Sequence, residues 1–341
     1  MKLKPSTLFL IIVFLFSLIF KPDKDLDLFR YYQGVHLWDN LDYYQVMLLN
    51  IEDHGDFLYF VMLKIFVDWG LPVQLVTAIF ATLYYKGALL ILEDNFKKGV
   101  FSVKGKMLAE SALFFTIPIH LILSIARMTC SFSFAFLAIH MYNNKKYFWA
   151  LFLITLSLCS HTGTVIFLGV FLTVKICLYL VGRISHLSSK KVAAYMIFGG
   201  VLIIYLFSFL EDLLVQIPFF ETHSYYLKYV DNIKSASYME NGFITFFAMM
   251  LYIVLNAFYA LKSNLNEKSL YCTCICCTVP VFYFLGNLFS MRSCMFSIPF
   301  FVVCLMGAYS SSRNKAVYKV ITVFTTLVFV LVLVAFNRLY I

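Results

Sequence analysis

Three residues in this chain, Arg127, His161 and Arg292, could together hold an anion and move a proton. Each stands where a hydrophobic segment begins. A guanidinium offers a planar fork of N–H donors that suits phosphate oxygens, and an imidazole titrates near neutral pH. The amino terminus of a helix adds a partial positive charge and free N–H groups at the same place. The pattern therefore predicts a site for a diphosphate-like anion.

The composition of the chain requires these residues to work within a membrane. Of 341 residues, 62% are hydrophobic and 13% are charged, and the mean hydropathy is +0.85. A soluble domain is about half apolar and a quarter charged. We therefore expect an integral membrane protein with the phospholipid bilayer around it and no nucleic-acid partner.

Apolar segments recur from end to end, which leaves no stretch for a sizeable soluble domain. In lipid such segments must be helices, because unpaired backbone groups are costly there. The sequence thus predicts an all-α, polytopic protein with about eleven transmembrane helices in a single domain, 1–341. The predicted spans are about 4–20, 71–92, 107–126, 128–142, 147–160, 163–182, 192–210, 242–262, 269–288, 293–311 and 317–336.

The basic residues orient these spans. With the amino terminus inside, sixteen of the 27 lysines and arginines fall in inner loops, as cytoplasmic loops require. Residues 57–70 are apolar but short and contain Lys64 and Asp68, so we interpret them as a re-entrant or interfacial helix. The long outer loops are then 21–56 and 211–241, and both are rich in tyrosine.

This topology brings Arg127, His161 and Arg292 to the outer face. Each also has a simpler interpretation, because arginines at helix ends can reach lipid headgroups and a buried histidine can be structural. His120, next to Pro118, is a minor further candidate.

Metal binding is weakly indicated. Asp23, Asp25 and Asp27 alternate but lack the glycine of a calcium loop. The cysteines of the CTCICC stretch at 272–277 fit small buried apolar residues better than zinc ligands. We therefore expect no metal and no cofactor.

Several stretches in order resemble one known family. They are DLDLFRYYQ, HGDFLYFVMLKIFVDWGLP, SIARMTCSFSFAFLAIHMYNNKKYFWALFLITLSLCSHTG and LGNLFSMRS, spread over about residues 20–300. The chain resembles the EpsG branch of the Wzy-type bacterial polysaccharide polymerases. It departs from that pattern at Met128, where glutamine is frequent, and at Thr162 and Gly163, where Ser-Ala is common.

The resemblance implies a glycosyltransferase of the GT-C-like membrane type in the bacterial inner membrane, with its active site facing the periplasm or exterior. It would transfer a growing glycan from undecaprenyl diphosphate to the next lipid-linked repeat unit. The implied substrate is an undecaprenyl-diphosphate-linked oligosaccharide, and a flippase and a chain-length regulator are the expected partners.

The resemblance also suggests roles for individual residues. Arg127 and Arg292 would bind the diphosphate, and His161 would be a general base or a further leaving-group contact. Arg30 could otherwise simply pair with its acidic neighbours. The implied substrate-binding residues are Asp27, Arg30, Tyr31 and Tyr32. His223, Tyr225 and Tyr226 in the tyrosine-rich loop 211–241 are further candidates, because aromatic faces can stack on sugar rings.

Three other classes of protein fit parts of the pattern. A flippase or other transporter would be expected to show repeated halves or charges deep in the bundle, and neither is evident. A membrane O-acyltransferase would use a histidine but collect its donor from the cytoplasm. A non-enzymatic assembly partner would have no reason to place Arg, His and Arg at helix entries.

Overall fold

The computed structural model describes residues 5–22, 27–116, 119–182, 243–263, 265, 267–283 and 287–311. Within these ranges the chain is helical and contains no strand, as the all-α prediction requires. The predicted spans 192–210 and 317–336 and the outer loop 211–241 lie outside the described residues.

Thirteen helices are labelled here in chain order through the described ranges. They are α1 (Pro5–Ile19), α2 (Asp27–Gly34), α3 (Tyr43–His54), α4 (Leu58–Asp68), α5 (Gln74–Lys97), α6 (Val103–Thr116), α7 (Ile119–Ser124), α8 (Ala126–Asn143), α9 (Tyr147–Ser160), α10 (Thr164–Gly182), α11 (Phe243–Lys262), α12 (Leu270–Tyr283) and α13 (Asn287–Ser311).

The chain divides into two compact units. The first contains the described residues up to Asp94 and from 119 to Gly169. The second contains Asn95–Thr116 and the described residues from Val170 onward.

Two helices are both long and apolar enough to cross a membrane, Gln74–Lys97 and Arg292–Ser310 within α13. Five shorter apolar helices of 10–17 residues accompany them in the described ranges. The count of eleven spans therefore stays a prediction.

The predicted outer loop 21–56 is largely helical. It contains α2, a 3-10 turn at Val35–Trp38, and α3. Asp42 begins α3 with a capping box, in which its carboxylate accepts from the Gln45 N–H and the Gln45 side chain accepts from the Asp42 N–H. The position of this segment outside the membrane stays a prediction, and the structure adds that its chain is folded into short helices.

Helix α4 occupies the segment predicted to be re-entrant or interfacial. Its eleven residues extend about 17 Å, well short of a hydrocarbon core of about 30 Å. Lys64 is buried, and its ammonium group donates to Asp68 at 2.7 Å one turn later. The ion pair thus directs the Lys64 ammonium group toward Asp68, at the exposed carboxyl-terminal end of this apolar helix.

The predicted span 107–126 is two helices, α6 and α7, and Pro118 lies in the interval between them. Proline cannot donate a backbone hydrogen bond and its ring opposes the preceding turn, so a single continuous helix is disfavoured here. Residues 117 and 118 lie outside the described residues, so a single span over 107–126 stays a prediction.

Helices α5 and α8 run side by side in the same direction in the first unit. Phe80 contacts Phe134 and Tyr84 contacts Phe136, with ring centroids 5.5 and 5.1 Å apart. Gly87 allows this approach, since a Cβ there would lie 2.7 Å from that of Phe136. The predicted topology requires the same relative direction for these two segments.

Helices α8 and α9 form a tight antiparallel hairpin joined by buried hydroxyl groups. Ser131 donates to the Ser157 carbonyl at 2.6 Å, and Ser157 donates to the Ser131 carbonyl at 2.9 Å. Such interhelical bonds satisfy polar groups where lipid cannot. They fix the register between the start of α8 and the end of α9.

The turn of this hairpin contains a lysine in the left-handed region. Lys145 has φ 61°, its N–H bonds to the Tyr142 carbonyl, and the Lys146 N–H bonds to the Met141 carbonyl. This is a Schellman ending, in which glycine is the usual residue at the left-handed position. A lysine there costs about 1 kcal/mol or more.

In the second unit, α11, α12 and α13 pack against one another, and α6 packs on α13. Tyr271 at the start of α12 is buried and accepts a hydrogen bond from Asn95 at 3.2 Å. The ammonium group of Lys175 lies 3.9 Å from the centre of the Tyr271 ring. The cysteines of α12 at 272, 274, 276 and 277 are buried in this packing, as small apolar residues would be.

Candidate active site

A buried carboxylate joins two of the predicted residues in the first unit. The Asp56 side chain is 0% exposed. Nη1 of Arg127 donates to its Oδ1 at 3.2 Å, and Nδ1 of His161 lies 3.1 Å from its Oδ2. The same Nη1 lies 3.5 Å from Oδ2, so the three side chains form a continuous chain of contacts through the carboxylate.

Burial makes this carboxylate dependent on its partners. An unpaired buried charge is destabilised by several kcal/mol, and a close opposite charge together with hydrogen bonds can offset that cost. Arg127 supplies the opposite charge, and His161 supplies a second donor to Asp56. Removing Arg127 would leave the buried carboxylate without an opposite charge, and removing His161 would take away one of its hydrogen-bond donors.

The pairing determines which ring nitrogen of His161 carries a proton. An ionised carboxylate only accepts hydrogen bonds, so Nδ1 must be the N–H donor. In the neutral imidazole Nε2 then carries the lone pair. Gly163 lies beside this atom, because a Cβ built on it would be 3.2 Å from Nε2. Contact with an ionised carboxylate thus assigns the proton to Nδ1, and in that neutral tautomer Nε2 is the basic atom.

Asp56 is placed by the end of α3. Gly55 adopts a left-handed conformation, φ 72°, and its N–H bonds to the Ile51 carbonyl at 2.9 Å. A left-handed helix ending of this kind suits glycine. The next N–H, that of Phe57, donates to the Cys159 carbonyl at 3.0 Å. This bond ties the segment around Asp56 to the last turn of α9.

His161 ends α9. It follows Ser160 in an extended conformation, and its N–H bonds to the Ser157 carbonyl at 3.1 Å. The Thr164 N–H then donates to the His161 carbonyl as α10 begins. The histidine thus occupies the short connection between two helices.

Arg127 is the second residue of α8. Thr129 reinforces the junction before it, because its hydroxyl donates to the Ile122 carbonyl in α7 at 2.6 Å. The helix therefore starts at a fixed point beside α7. The hydroxyl bonds of the α8–α9 hairpin then set the distance from Arg127 to the end of α9.

Aromatic groups surround the guanidinium of Arg127. Nε donates to the Tyr31 hydroxyl at 2.9 Å, and Cζ lies 5.3 Å from the ring centres of both Tyr31 and Phe60. Cation–π contacts at such distances favour a cation, the more so when it is desolvated. The Arg127 side chain is nevertheless 14% exposed, so part of the group faces outward.

Arg292, the third residue predicted for the site, lies in the second unit. The segment predicted at 293–311 begins earlier, at Asn287, so Arg292 is the sixth residue of α13 instead of standing before a helix. The prediction began the segment after Arg292, although residues 287–291 contain no helix-breaking residue and continue the same helix. The expected addition of its charge to the first turn of a helix was therefore wrong.

The residues suggested for sugar or lipid binding have different surroundings. Tyr31 contacts Arg127, whereas the Tyr32 hydroxyl is 2.8 Å from that of Thr77, which also contacts Tyr59. Burial raises the pKa of the Tyr32 phenol to about 12, and its bond with Thr77 acts in the opposite direction. The Tyr32 hydroxyl is thus used in an interior hydrogen bond, and its partly buried ring is less open to a sugar than an exposed tyrosine would be.

Arg30 is exposed on α2, and Asp27 begins the same helix. His223, Tyr225 and Tyr226 lie outside the described residues. The part that these five residues play in binding stays a prediction.

Sequence reasoning missed Asp56 and His54. The loop 21–56 contains eight acidic residues, and local sequence does not separate Asp56 from the other seven. The imidazole of His54 stacks on Phe60, with centroids 5.2 Å apart and planes at 18°. Gly55, between them, was the sequence signal that could have identified both. A glycine after a helix predicts a left-handed turn, and that turn sets the directions of the side chains on either side of it.

Metal ligation finds no support among the described residues, where no group of three or more His, Cys, Asp or Glu side chains could hold an ion. The side chains of Asp23, Asp25 and Asp27 lie outside the described part of the structure.

Comparison with known proteins gives one match. The EpsG family model matches residues 6–341, and the chain belongs to this family. No curated protein and no solved structure matches the chain significantly. Membership makes the chain a membrane protein of polysaccharide biosynthesis, in a family that is generally glycosyltransferase-like.

Proposed function

We propose that this EpsG-family protein is a polysaccharide repeat-unit polymerase. It transfers the growing glycan from undecaprenyl diphosphate to the next lipid-linked repeat unit at the outer leaflet of the bacterial inner membrane. About eleven spans and a GT-C-like site complete the proposal. The observation that supports it best is the Asp56–His161 pair, with its fixed tautomer and a neighbouring arginine.

The reaction needs a base on the acceptor hydroxyl. The hydroxyl oxygen attacks the anomeric carbon of the donor, and the bond from that carbon to the diphosphate breaks. Nε2 of His161 takes the hydroxyl proton, while the bonding electrons leave with the undecaprenyl diphosphate. General base assistance of this kind contributes roughly 10²–10⁴-fold to a rate.

Asp56 has two tasks in this step. Its bond to Nδ1 orients the ring, and its charge stabilises the imidazolium that forms when Nε2 takes the proton. Arg127 keeps the carboxylate paired throughout. Asp56 is therefore a positioning residue that acts through the histidine.

The departing diphosphate requires cationic donors. Arg127 engages Asp56 and Tyr31 and its side chain is 14% exposed, so we assign it a shared role at the leaving group. Arg292 is the second proposed diphosphate contact. Donors placed where charge develops stabilise the transition state of such a transfer. Arg30, Tyr31 and the tyrosines of the loop 211–241 would contact the glycan.

Replacement of the proposed base tests this function. We expect Arg127→Ala, Arg292→Ala and His161→Ala each to leave the protein in the membrane yet abolish polymer, so that single-repeat glycans reach the final acceptor. His140→Ala is the matched control, because it removes an imidazole from the other end of α8. Wild-type chain lengths in all three variants would refute the site.

The same variants separate polymerase from flippase. Loss of a flippase would leave lipid-linked units facing the cytoplasm, with no single-repeat product outside. We expect single-repeat product to persist in His161→Ala cells. Accumulation of cytoplasm-facing units there would contradict the polymerase assignment.

A further inference from the structure

The turn between α8 and α9 presents an unusual run of exposed residues, 145–149, named here the α8–α9 tip. Two lysines are followed by three aromatic residues, and all five side chains are exposed. Tyr147 is 60%, Phe148 75% and Trp149 54% exposed. Within the described part of the chain, neither lysine forms an ion pair. The tip therefore combines two solvated cations with a large apolar surface.

The apolar surface continues along α9. Leu151 is 65% and Phe152 48% exposed, and the Trp149 and Phe152 rings contact each other. Ala150, between them, is buried against the unit. One face of α9 is thus open to apolar surroundings directly beside the two ammonium groups. A molecule with an anionic head and apolar chains complements both parts.

The backbone at the tip favours a role for the lysine itself. Lys145 occupies the left-handed position of the turn, where glycine or asparagine would be unstrained. A partly buried group of polar side chains contacts the residue before this turn. Asp94 accepts from Asn144 at 3.1 Å and contacts Nδ1 of His140 at 3.0 Å. Lys145 thus keeps an unfavourable backbone conformation directly after Asn144, whose side chain is held by Asp94.

We propose that the α8–α9 tip binds the phosphate headgroup of an anionic phospholipid, with the lipid chains lying along the exposed face of α9. Lys145 and Lys146 hold the phosphate, and the aromatic residues occupy the headgroup zone, where such rings are stabilised. A free phosphate would use only the lysines. The open apolar face beside them selects the lipid.

The test uses the full-length protein in neutral detergent, titrated with fluorescent phosphatidylglycerol. We expect Lys145→Gly to weaken binding about fivefold and Lys145→Gly with Lys146→Gln about 25-fold, since each basic residue near an anionic lipid contributes a factor of that order. Lys145→Gly also relieves the left-handed strain, so its unfolding midpoint without the lipid should match or exceed that of the wild type. A loss of binding then reflects the lost charge.

Lys104→Gln is the matched control, because Lys104 is an exposed lysine at the start of α6. We expect it to bind phosphatidylglycerol like the wild type, and millimolar inorganic phosphate not to displace the lipid. Unchanged binding by the double variant would overturn the proposal. So would equal weakening by Lys104→Gln, or displacement by inorganic phosphate alone.

Discussion

The first unit contains two carboxylate–histidine pairs at opposite ends of α8. Near its start, Asp56 contacts His161 at 3.1 Å; at its end, Asp94 contacts His140 at 3.0 Å. Both carboxylates are buried, and both imidazoles use Nδ1. Contact distance and burial therefore do not distinguish a reactive pair from a structural one.

The remaining partners make the difference. Asp56 accepts from the guanidinium of Arg127 at 3.2 and 3.5 Å and also contacts the His161 imidazole, whereas Asp94 contacts the His140 imidazole through both of its oxygens at 3.0 Å. The amide of Asn144 completes the second group and also bonds to the His140 carbonyl. The second pair thus fastens a helix end, while the first lies at a helix junction beside a cation and aromatic rings.

Exchange of each carboxylate for an amide should separate the two pairs most strongly. Asp56→Asn removes the charge that stabilises the imidazolium, so we expect polymerisation to slow by roughly 10²–10⁴-fold. Asp94→Asn should lower thermal stability yet keep the rate within about threefold of wild type. Initial rates of polymerisation in proteoliposomes measure the activity of each variant, and thermal unfolding measures its stability. Equal loss of activity in the two variants would erase the distinction.

Arg127→Lys should have the next largest effect. An ammonium group cannot reproduce the fork that spans Asp56 and Tyr31, and hydrogen bonds to charged groups contribute about 1.5–3 kcal/mol each. We therefore expect a rate loss of about 10–100-fold. Lys86→Arg, a change of the same size on α5, is the control in the same rate assay. A wild-type rate for Arg127→Lys would mean that charge alone matters at this position.

Two neighbouring tyrosines of α2 differ in their partners, because Tyr31 contacts Arg127 and Tyr32 contacts Thr77. Tyr31→Phe removes the hydroxyl that accepts from Nε of Arg127, and we expect a rate loss of about 3–10-fold. Tyr32→Phe removes a bond to Thr77 and should reduce stability by about 1 kcal/mol while the rate changes little. Rates and denaturation midpoints of the two variants check this. The reverse pattern would place Tyr32, not Tyr31, at the site.

The smallest expected effect is that of Gly163→Ala. The added Cβ would lie 3.2 Å from Nε2 of His161, so the ring must move by a few tenths of an ångström, and we expect a loss of about 2–3-fold. Gly169→Ala, where nothing lies within 4 Å, is the control and should leave the rate unchanged. If Gly169→Ala lowers the rate as much as Gly163→Ala does, the contact between Gly163 and His161 has no specific effect on the reaction.

The sequence predicted the positions of Arg127 and His161 at helix ends because apolar periodicity and polar punctuation are local signals. It did not identify Asp56, whose partners lie 71 and 105 positions away. Pairing over such separations is set by helix packing, here by the serine contacts of the α8–α9 hairpin. Arg292 shows the opposite failure, since an apolar run before it concealed the true start of α13.

In the proposed reaction, Asp56 and His161 act as one unit in accepting the hydroxyl proton. The direct measurement is a double-mutant cycle with Asp56→Asn and His161→Gln, read as the initial rate of glycosidic bond formation from a lipid-linked repeat unit in proteoliposomes. Groups that act together are non-additive, so the double variant should be no slower than the slower single variant. Rate losses that multiply in the double variant would show two independent roles and contradict the account.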